Sequence, residues 1–263
     1  QNSHASSQPQ VLALHGWLDN AASFLPLMSA LPDYNWTAID LPGHGHSFHR
    51  PKHCHYHFID WISDLVAFHQ AQFGEQKVYV VGHSLGGMLA TVLAGLYPEL
   101  VGKLVLIDAA GLVIQDDTEL AKRMRQALDS RNQLKTKEKR IHQNLDSAVR
   151  ARSAAGDITQ DSARLLVERN MEQSQAGFEW RTDQRLRAAS PVRINQLAAS
   201  DIIQNIQAPT LICMAELGYA SMRDNLARFR PDYPNLVVNQ VEGGHHCHMD
   251  KPASTAKAIA DFF

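Results

Sequence analysis

The chain has 263 residues, a formal charge of −2, 44% hydrophobic and 20% charged side chains. That is ordinary globular composition, long enough to bury a core without disulfides or a structural metal. It excludes a collagenous or largely disordered chain. No apolar run approaches the ~18 residues of a spanning helix, and the charge gives no ground for bulk nucleic-acid binding. Three cysteines, an odd number with no CxxC pair, suit a reducing compartment, so a cytoplasmic location is expected. The chain opens on Gln1 rather than Met, which points to a missing or trimmed upstream segment, and residues 1–9 read as a loose end.

Short β-branched runs alternate with helical stretches. Val11–Leu14 reads as a strand ending at His15-Gly16, and Trp36–Asp40 as a second ending in Leu41-Pro42-Gly43. Phe58–Phe73 has helical spacing, with Ile59, Ile62, Leu65, Val66 and Phe73 expected on one buried face. Lys77–Gly82 is apolar on both faces, as a buried parallel strand should be. Leu85–Tyr97 reads as a helix stopped near Pro98, Leu104–Asp108 as a strand, Pro209–Met214 and Leu236–Val241 as two more, and Pro252–Phe263 as a closing helix. Strands alternating with helices imply βαβ units and a mostly parallel sheet flanked by helices. The stretch from Leu112 to Ile206 interrupts this rhythm: it has helical pattern and no convincing strand. It holds sixteen Lys/Arg against thirteen Asp/Glu, the rest of the chain nine against fourteen. We read residues 1–111 and 207–263 as a core and 112–206 as a helical insert. A solvated helical surface accounts for its mild basicity; a bias toward anionic substrates is the sharper reading.

Gly82-His83-Ser84-Leu85-Gly86-Gly87 matches G-x-S-x-G directly between an apolar strand and a helix. In that setting Ser84 occupies a sharp strained turn that lifts its hydroxyl clear of the sheet, and positions 82 and 86 have no room for a Cβ. The helix N-terminus beside it favours developing negative charge. A serine needs a base and oxyanion donors. His15-Gly16-Trp17 follows the first strand and can place the Trp17 N–H beside that of Leu85. His15, Gly16 and His83, next to these groups, and Trp180 in the insert are expected to border the substrate. Phe178, Met171 and Met124 are further pocket candidates. The base is expected after the last strand, in Gly243-Gly244-His245-His246-Cys247-His248. His245 is favoured, because two glycines let the loop bend its ring back over the sheet edge. His248 is expected to bond backbone and His246 to be a supporting or exposed residue.

His15-Gly16-Trp17-Leu18-Asp19-Asn20, Asp40-Leu-Pro-Gly-His-Gly-His-Ser47, the Ser84 motif and Gly243-Gly-His-His246 together resemble the α/β-hydrolase superfamily, in its single-domain form with a helical cap. The wording around His15–Phe24 and Gly243–Met249 looks most like its serine hydrolase-like proteins. The resemblance implies an α/β-hydrolase fold with the cap inserted after the strand ending at Asp108, and no cofactor or metal. It implies a serine hydrolase acting on a small-molecule carboxylic ester or thioester. Serine at position 84 argues against the carboxylate-nucleophile dehalogenases and epoxide hydrolases of the same fold. The family's usual acid position, after the strand at Pro209–Met214, is here Gly218. Asp108 is the preferred substitute and Glu216 the alternative. That missing acid also motivates a rival reading, a catalytically weak small-molecule binding protein; perhydrolase or haloperoxidase chemistry is a third. His53-Cys54-His55-x-His57 and His245-His246-Cys247-His248 crowd possible ligands onto alternating faces and are read as polar loops rather than metal sites.

Overall fold

In a computed structural model, residues 8–115, 117–134 and 140–263 are described. The core strands are β1 (Gln10–Leu14), β2 (Asn35–Ile39), β3 (Val78–His83), β4 (Val101–Ile107), β8 (Thr210–Leu217) and β9 (Leu236–Gly244). They form a parallel sheet in the order β2-β1-β3-β4-β8-β9. Alternation along each strand divides its side chains between two cores. Leu12, Leu14, Val80, Leu104 and Leu106 face one; Val11, Ala13, Val81, Val105 and Ile107 face the other. Each buried Val, Leu or Ile contributes about 1.5–3 kcal/mol.

The helices are α1 (Leu25–Ala30), α2 (Phe58–Phe73), α3 (Leu85–Leu96), α4 (Leu120–Leu134), α5 (Leu145–Ala154), α6 (Gln160–Asn170), α7 (Gln196–Gln204), α8 (Ala220–Phe229), α9 (Cys247–Asp250) and α10 (Pro252–Phe262). α2 has the expected bounds, but its buried positions are Trp61, Ile62, Leu65 and His69, and Ile59 is exposed. The apolar stripe runs through positions 58, 62, 65 and 69, and Ile59 lies off its edge. β4 begins three residues before Leu104. Gly102 and Lys103 interrupt the apolar run in sequence, but the Lys103 ammonium reaches the Phe262 and Phe263 carbonyls at 2.8 Å, so the polar residue is accommodated in the strand.

Two features of the 112–206 stretch differ from expectation. It contains a three-stranded antiparallel sheet, β5 (Ile141–His142), β7 (Gly177–Trp180) and β6 (Met171–Ser174), in that order. These strands are two to four residues long, half polar and for the most part exposed or half-buried, so they carry no readable alternation. The sheet leans on an insert core of Ala148, Val149, Ala163, Leu166 and Val167, to which Met249 of α9 also contributes. At the far end, α7 packs on α3: Ala199 and Ile203 join the main core, and Gly95 lets the Ile202 backbone approach. The last helix of the stretch therefore packs with the sheet.

In-register pairing sets the site. Leu14 lies opposite Gly82, Gly82 opposite Leu106, His83 opposite Ile107, and Ile107 opposite Cys213. The residues after each strand consequently share one carboxyl edge. β1 and β3 are neighbours from which the chain winds in opposite directions, which is where ligands bind in open parallel sheets.

Candidate active site

Ser84 follows β3 with φ 50° and ψ −115°. Among the described non-glycine residues with positive φ are Ser84, Asp108 (φ 39°) and Leu18 (φ 63°), all at this edge. Strain of about 1–3 kcal/mol per residue persists only where the surroundings enforce it. The enforcement is visible: a Cβ on Gly82 would strike the Gly86 backbone, one on Gly86 the Leu14 carbonyl, and one on Gly87 the Ala109 side chain. The turn can form only with glycine at these places. Leu85 opens α3, so its N–H has no helical acceptor. Neither it nor the Trp17 N–H donates to a protein acceptor among the described residues. The Trp17 indole donates to the Leu186 carbonyl at 3.1 Å, tying this loop to the insert.

His245 follows β9. Its Nδ1 lies 2.5 Å from Asp108 Oδ2, and both side chains are buried. The carboxylate orients the ring and leaves Nε2 for the pocket. The other Asp108 oxygen accepts the Ala215 N–H at 3.3 Å. Glu216, the alternative acid, is exposed at an irregularity in the β8–β9 register, so the structure pairs His245 with Asp108 and not with Glu216. Gly218 has its own reason: a Cβ there would collide with the Asp108 carboxylate. The acid's usual position and the substitute compete for one space. The gap at Gly218 that motivated the weak-binder reading is the space the Asp108 carboxylate fills.

Gly16, Trp17, His83, Ser84, Trp180 and His245 line one cavity of about 560 Å³ between sheet edge and insert. His15 does not line it. It is fully buried, with Nδ1–H donating to the Gly16 carbonyl at 2.8 Å and Nε2 accepting the Leu41 N–H at 2.9 Å. It joins two loops, and burial holds its pKa down. Phe178 and Met171 pack within the insert, and Met124 is exposed outside the cavity. His248, expected to bond backbone, is buried with both ring nitrogens unpartnered, and burial pushes its pKa down to about 3. His46 and His44 belong to the loop after β2, where the Asp40 carboxylate accepts the Ala21 and His46 N–H groups at 2.8 Å. His44 is buried there, its pKa lowered to about 3 by desolvation.

The sequence reading missed several residues around His245. The Tyr219 ring stacks on it with centroids 4.0 Å apart. Asp157 of the insert accepts the His245 N–H at 2.9 Å, and its backbone carbonyl accepts from His246 Nδ1 at 2.8 Å. Gly244 is needed because a Cβ would strike the Asp157 carboxylate. Asp19 is buried, receives Arg152 at 2.7 Å and lies 3.2 Å from His246 Nε2. Despite the burial that opposes it, the hydrogen bond and charge of His246 hold the Asp19 carboxyl well below the usual range. The same contact raises the His246 pKa against its own burial. His246 is thus a buried supporting group and not an exposed one. The position of Asp19 in His15-Gly-Trp-Leu-Asp19, two residues past Trp17, was the available signal; Asp157 offered none, since its partners are 88 and 89 residues away in sequence.

The model of the alpha/beta hydrolase fold family matches residues 9–252. This chain belongs to that family. As an α/β hydrolase it is an enzyme of hydrolytic type, similar to a serine hydrolase-like protein of Danio rerio, 30% identical over 96% of this chain and 80% of that one. It is 28% identical to 2-(acetamidomethylene)succinate hydrolase of Mesorhizobium japonicum, over 97% of this chain and 88% of that one. Among solved structures, hypothetical protein PA1622 from Pseudomonas aeruginosa PAO1 superposes with a TM-score of 0.88 at 33% identity, covering 98% of this chain and 92% of that one. Among its described residues this α/β hydrolase has no helix long and apolar enough to cross a membrane.

Proposed function

We propose that this α/β hydrolase cleaves a carboxylic ester or thioester of a small to medium substrate through an acyl-enzyme on Ser84. The observation that carries the reading is the strained Ser84 turn facing the same cavity as the buried His245–Asp108 pair. The Ser84 oxygen attacks the carbonyl carbon as its proton passes to His245 Nε2, and the imidazolium is held through Nδ1–H by Asp108. The Trp17 and Leu85 N–H groups receive the oxyanion, each such donor being worth about 10²–10³ in rate. The carbonyl re-forms, the alcohol or thiol leaves with the proton from Nε2, and water repeats the sequence to release the acid.

The lining supports a substrate with an anionic group. Arg140, Arg152 and Arg187 border the cavity, against Asp19, which is already engaged by Arg152. Arg140 and Arg187 have no ion-pair partner among the described residues. The succinate in the name of the Mesorhizobium relative points the same way.

A fluorophosphonate probe with mass mapping tests the reading. An adduct on Ser84 in the wild type, lost together with ester turnover in Ser84→Ala of unchanged melting temperature, is expected. Turnover retained by Ser84→Ala would overturn it.

A further inference from the structure

Beside the serine, and apart from it, three side chains converge. One Asp19 carboxylate oxygen, one His83 ring nitrogen and one His246 ring nitrogen all lie within 4.8 Å of one another. Asp19 Oδ2 is 3.2 Å from His246 Nε2 and 3.8 Å from His83 Nδ1. All three residues are buried yet border the cavity.

The tautomers are decided by their carbonyl partners. His83 Nε2 lies 2.9 Å from the His245 carbonyl, which can only accept, so Nε2 carries the hydrogen. His83 Nδ1 then presents a lone pair. It is buried, has no hydrogen-bond partner and faces a carboxylate oxygen. His246 Nδ1 likewise donates to the Asp157 carbonyl, which leaves Nε2 as the atom turned to Asp19. Two imidazole nitrogens and a carboxylate oxygen therefore face a common point that a proton on His246 satisfies on one side only. Gly16 keeps that point open: a Cβ there would stand 2.8 Å from His83 Nδ1 and 3.1 Å from Asp19 Oδ2.

We propose that Asp19, His83 and His246 bind one divalent transition-metal ion of the zinc class, whose remaining position opens into the cavity, and that its binding suppresses turnover. Two imidazoles and a carboxylate suit Zn²⁺ or Co²⁺ and not the oxygen-seeking Mg²⁺ or Ca²⁺. A tetrahedral ion with bonds near 2.0–2.1 Å separates its ligand atoms by about 3.3 Å; the two distances to Asp19 are 3.2 and 3.8 Å, and the two imidazole nitrogens, within 4.8 Å of each other, close on the ion as it binds. The two carbonyl bonds orient the imidazoles, as outer partners of metal-bound histidines do. The Arg152 guanidinium donates to the other carboxylate oxygen, Oδ1, at 2.7 Å and also lies 3.4 Å from His246 Nε2; on binding it keeps the Oδ1 contact and yields Nε2 to the ion. On binding, the ion takes the place of the proton between His246 Nε2 and Asp19, and that proton is released to solvent. Suppression follows because the ion occupies the cavity that Ser84 faces; binding itself does not depend on Ser84 being the nucleophile.

The test titrates the chelator-treated 263-residue chain with Co²⁺, followed by its visible absorption, and with Zn²⁺ by calorimetry. One ion per chain is expected, retained in Ser84→Ala and weakened by about 10–100-fold or more in His246→Gln and in Asp19→Asn. Added Zn²⁺ should depress wild-type ester turnover, EDTA should restore it, and the residual turnover of His246→Gln should not respond. The competitor is the loop of exposed His53 and Cys54 and half-buried His55. Binding that survives His246→Gln but falls in His55→Gln would overturn the assignment, as would no stoichiometric binding to the wild type. If His246→Gln and Asp19→Asn fail to fold, anomalous scattering from a Zn²⁺-soaked wild-type crystal decides. A peak among the three named atoms supports the site, and a peak elsewhere or none overturns it.

Discussion

The sheet and the insert are held by different forces. The sheet rests on two continuous apolar cores, one on each face. The insert has a small core of its own, shared with Met249, and joins the main core through Leu112, Leu186 and α7; between these, polar links tie it to the sheet edge. Arg169 binds Asp40 at 2.9 Å, Arg152 binds Asp19, Asn20 donates to the Leu166 carbonyl at 2.9 Å, and Thr159 donates to Asp250 at 2.6 Å. Apolar burial is non-directional and tolerates no water; polar links are directional and can be remade with solvent. The division suits the proposed function, in which the reacting groups stand at the sheet edge and the insert lines the rest of the cavity. Asp157 is where the two meet, since it belongs to the insert yet fixes the His245 loop.

Substitutions of unequal size probe this contrast. The largest loss is expected at the rigid side. Asp108→Asn should lower kcat by about 10⁴, the scale for a triad acid that sets the histidine tautomer, while Glu216→Gln leaves it unchanged. A reversed ranking would move the acid to β8. At the seam, Asp157→Ala removes the acceptor of the His245 N–H and should lower kcat/KM by about 10–100-fold, on the scale of a lost outer partner, with little change in melting temperature. An effect as large as that of Asp108→Asn would mean that the insert belongs to the chemical machinery and does not merely cover it. On the cover itself, Arg187→Ala should raise KM for esters bearing a carboxylate more than for neutral ones, with kcat preserved; equal effects on both would remove the anionic preference.

The smallest effect concerns pH. His44 and His248, held near 3 by burial, and His15 and His83, also lowered, bind protons more readily in the unfolded chain. Their neutrality therefore costs stability as pH falls below the ordinary imidazole value of 6.5. His246 runs the other way: its raised pKa gives stability that is complete below 6.5 and lost as pH rises through the raised value. Asp19, lowered, gives stability present at neutral pH and lost only in strong acid. With His69 and His142 lowered as well, six of the described imidazoles are lowered against one raised, so the melting temperature should fall between pH 7 and 5. A flat profile there would show that these histidines are not held neutral by the sheet-edge packing.

Legibility in the sequence followed the range of the interactions. Gly82, Gly86 and Ser84 could be read because a strand-to-helix turn is built from contiguous residues and sterics within a few positions. The sheet could be read because buried parallel strands are continuous apolar runs. The insert's strands could not, because two- to four-residue polar segments have no period and pair only once the hairpin is in place. α7 looked like part of the insert because its amphipathic pattern says which face is buried and not what covers it.

From residue types and spacing alone came the parallel sheet, the Ser84 turn, the expected donors at Trp17 and Leu85, and a histidine in the last loop. Each is local, so short-range sterics and hydrophobic period suffice. Only the tertiary structure decided that Asp108, 137 positions away, is the carboxylate beside His245, that Gly218 is glycine because Asp108 fills its space, that His15 joins loops and does not line the cavity, and that Asp19, His83 and His246 meet. Those facts depend on which strand ends become neighbours. Strand order and register set that proximity, and no local pattern of residues encodes it.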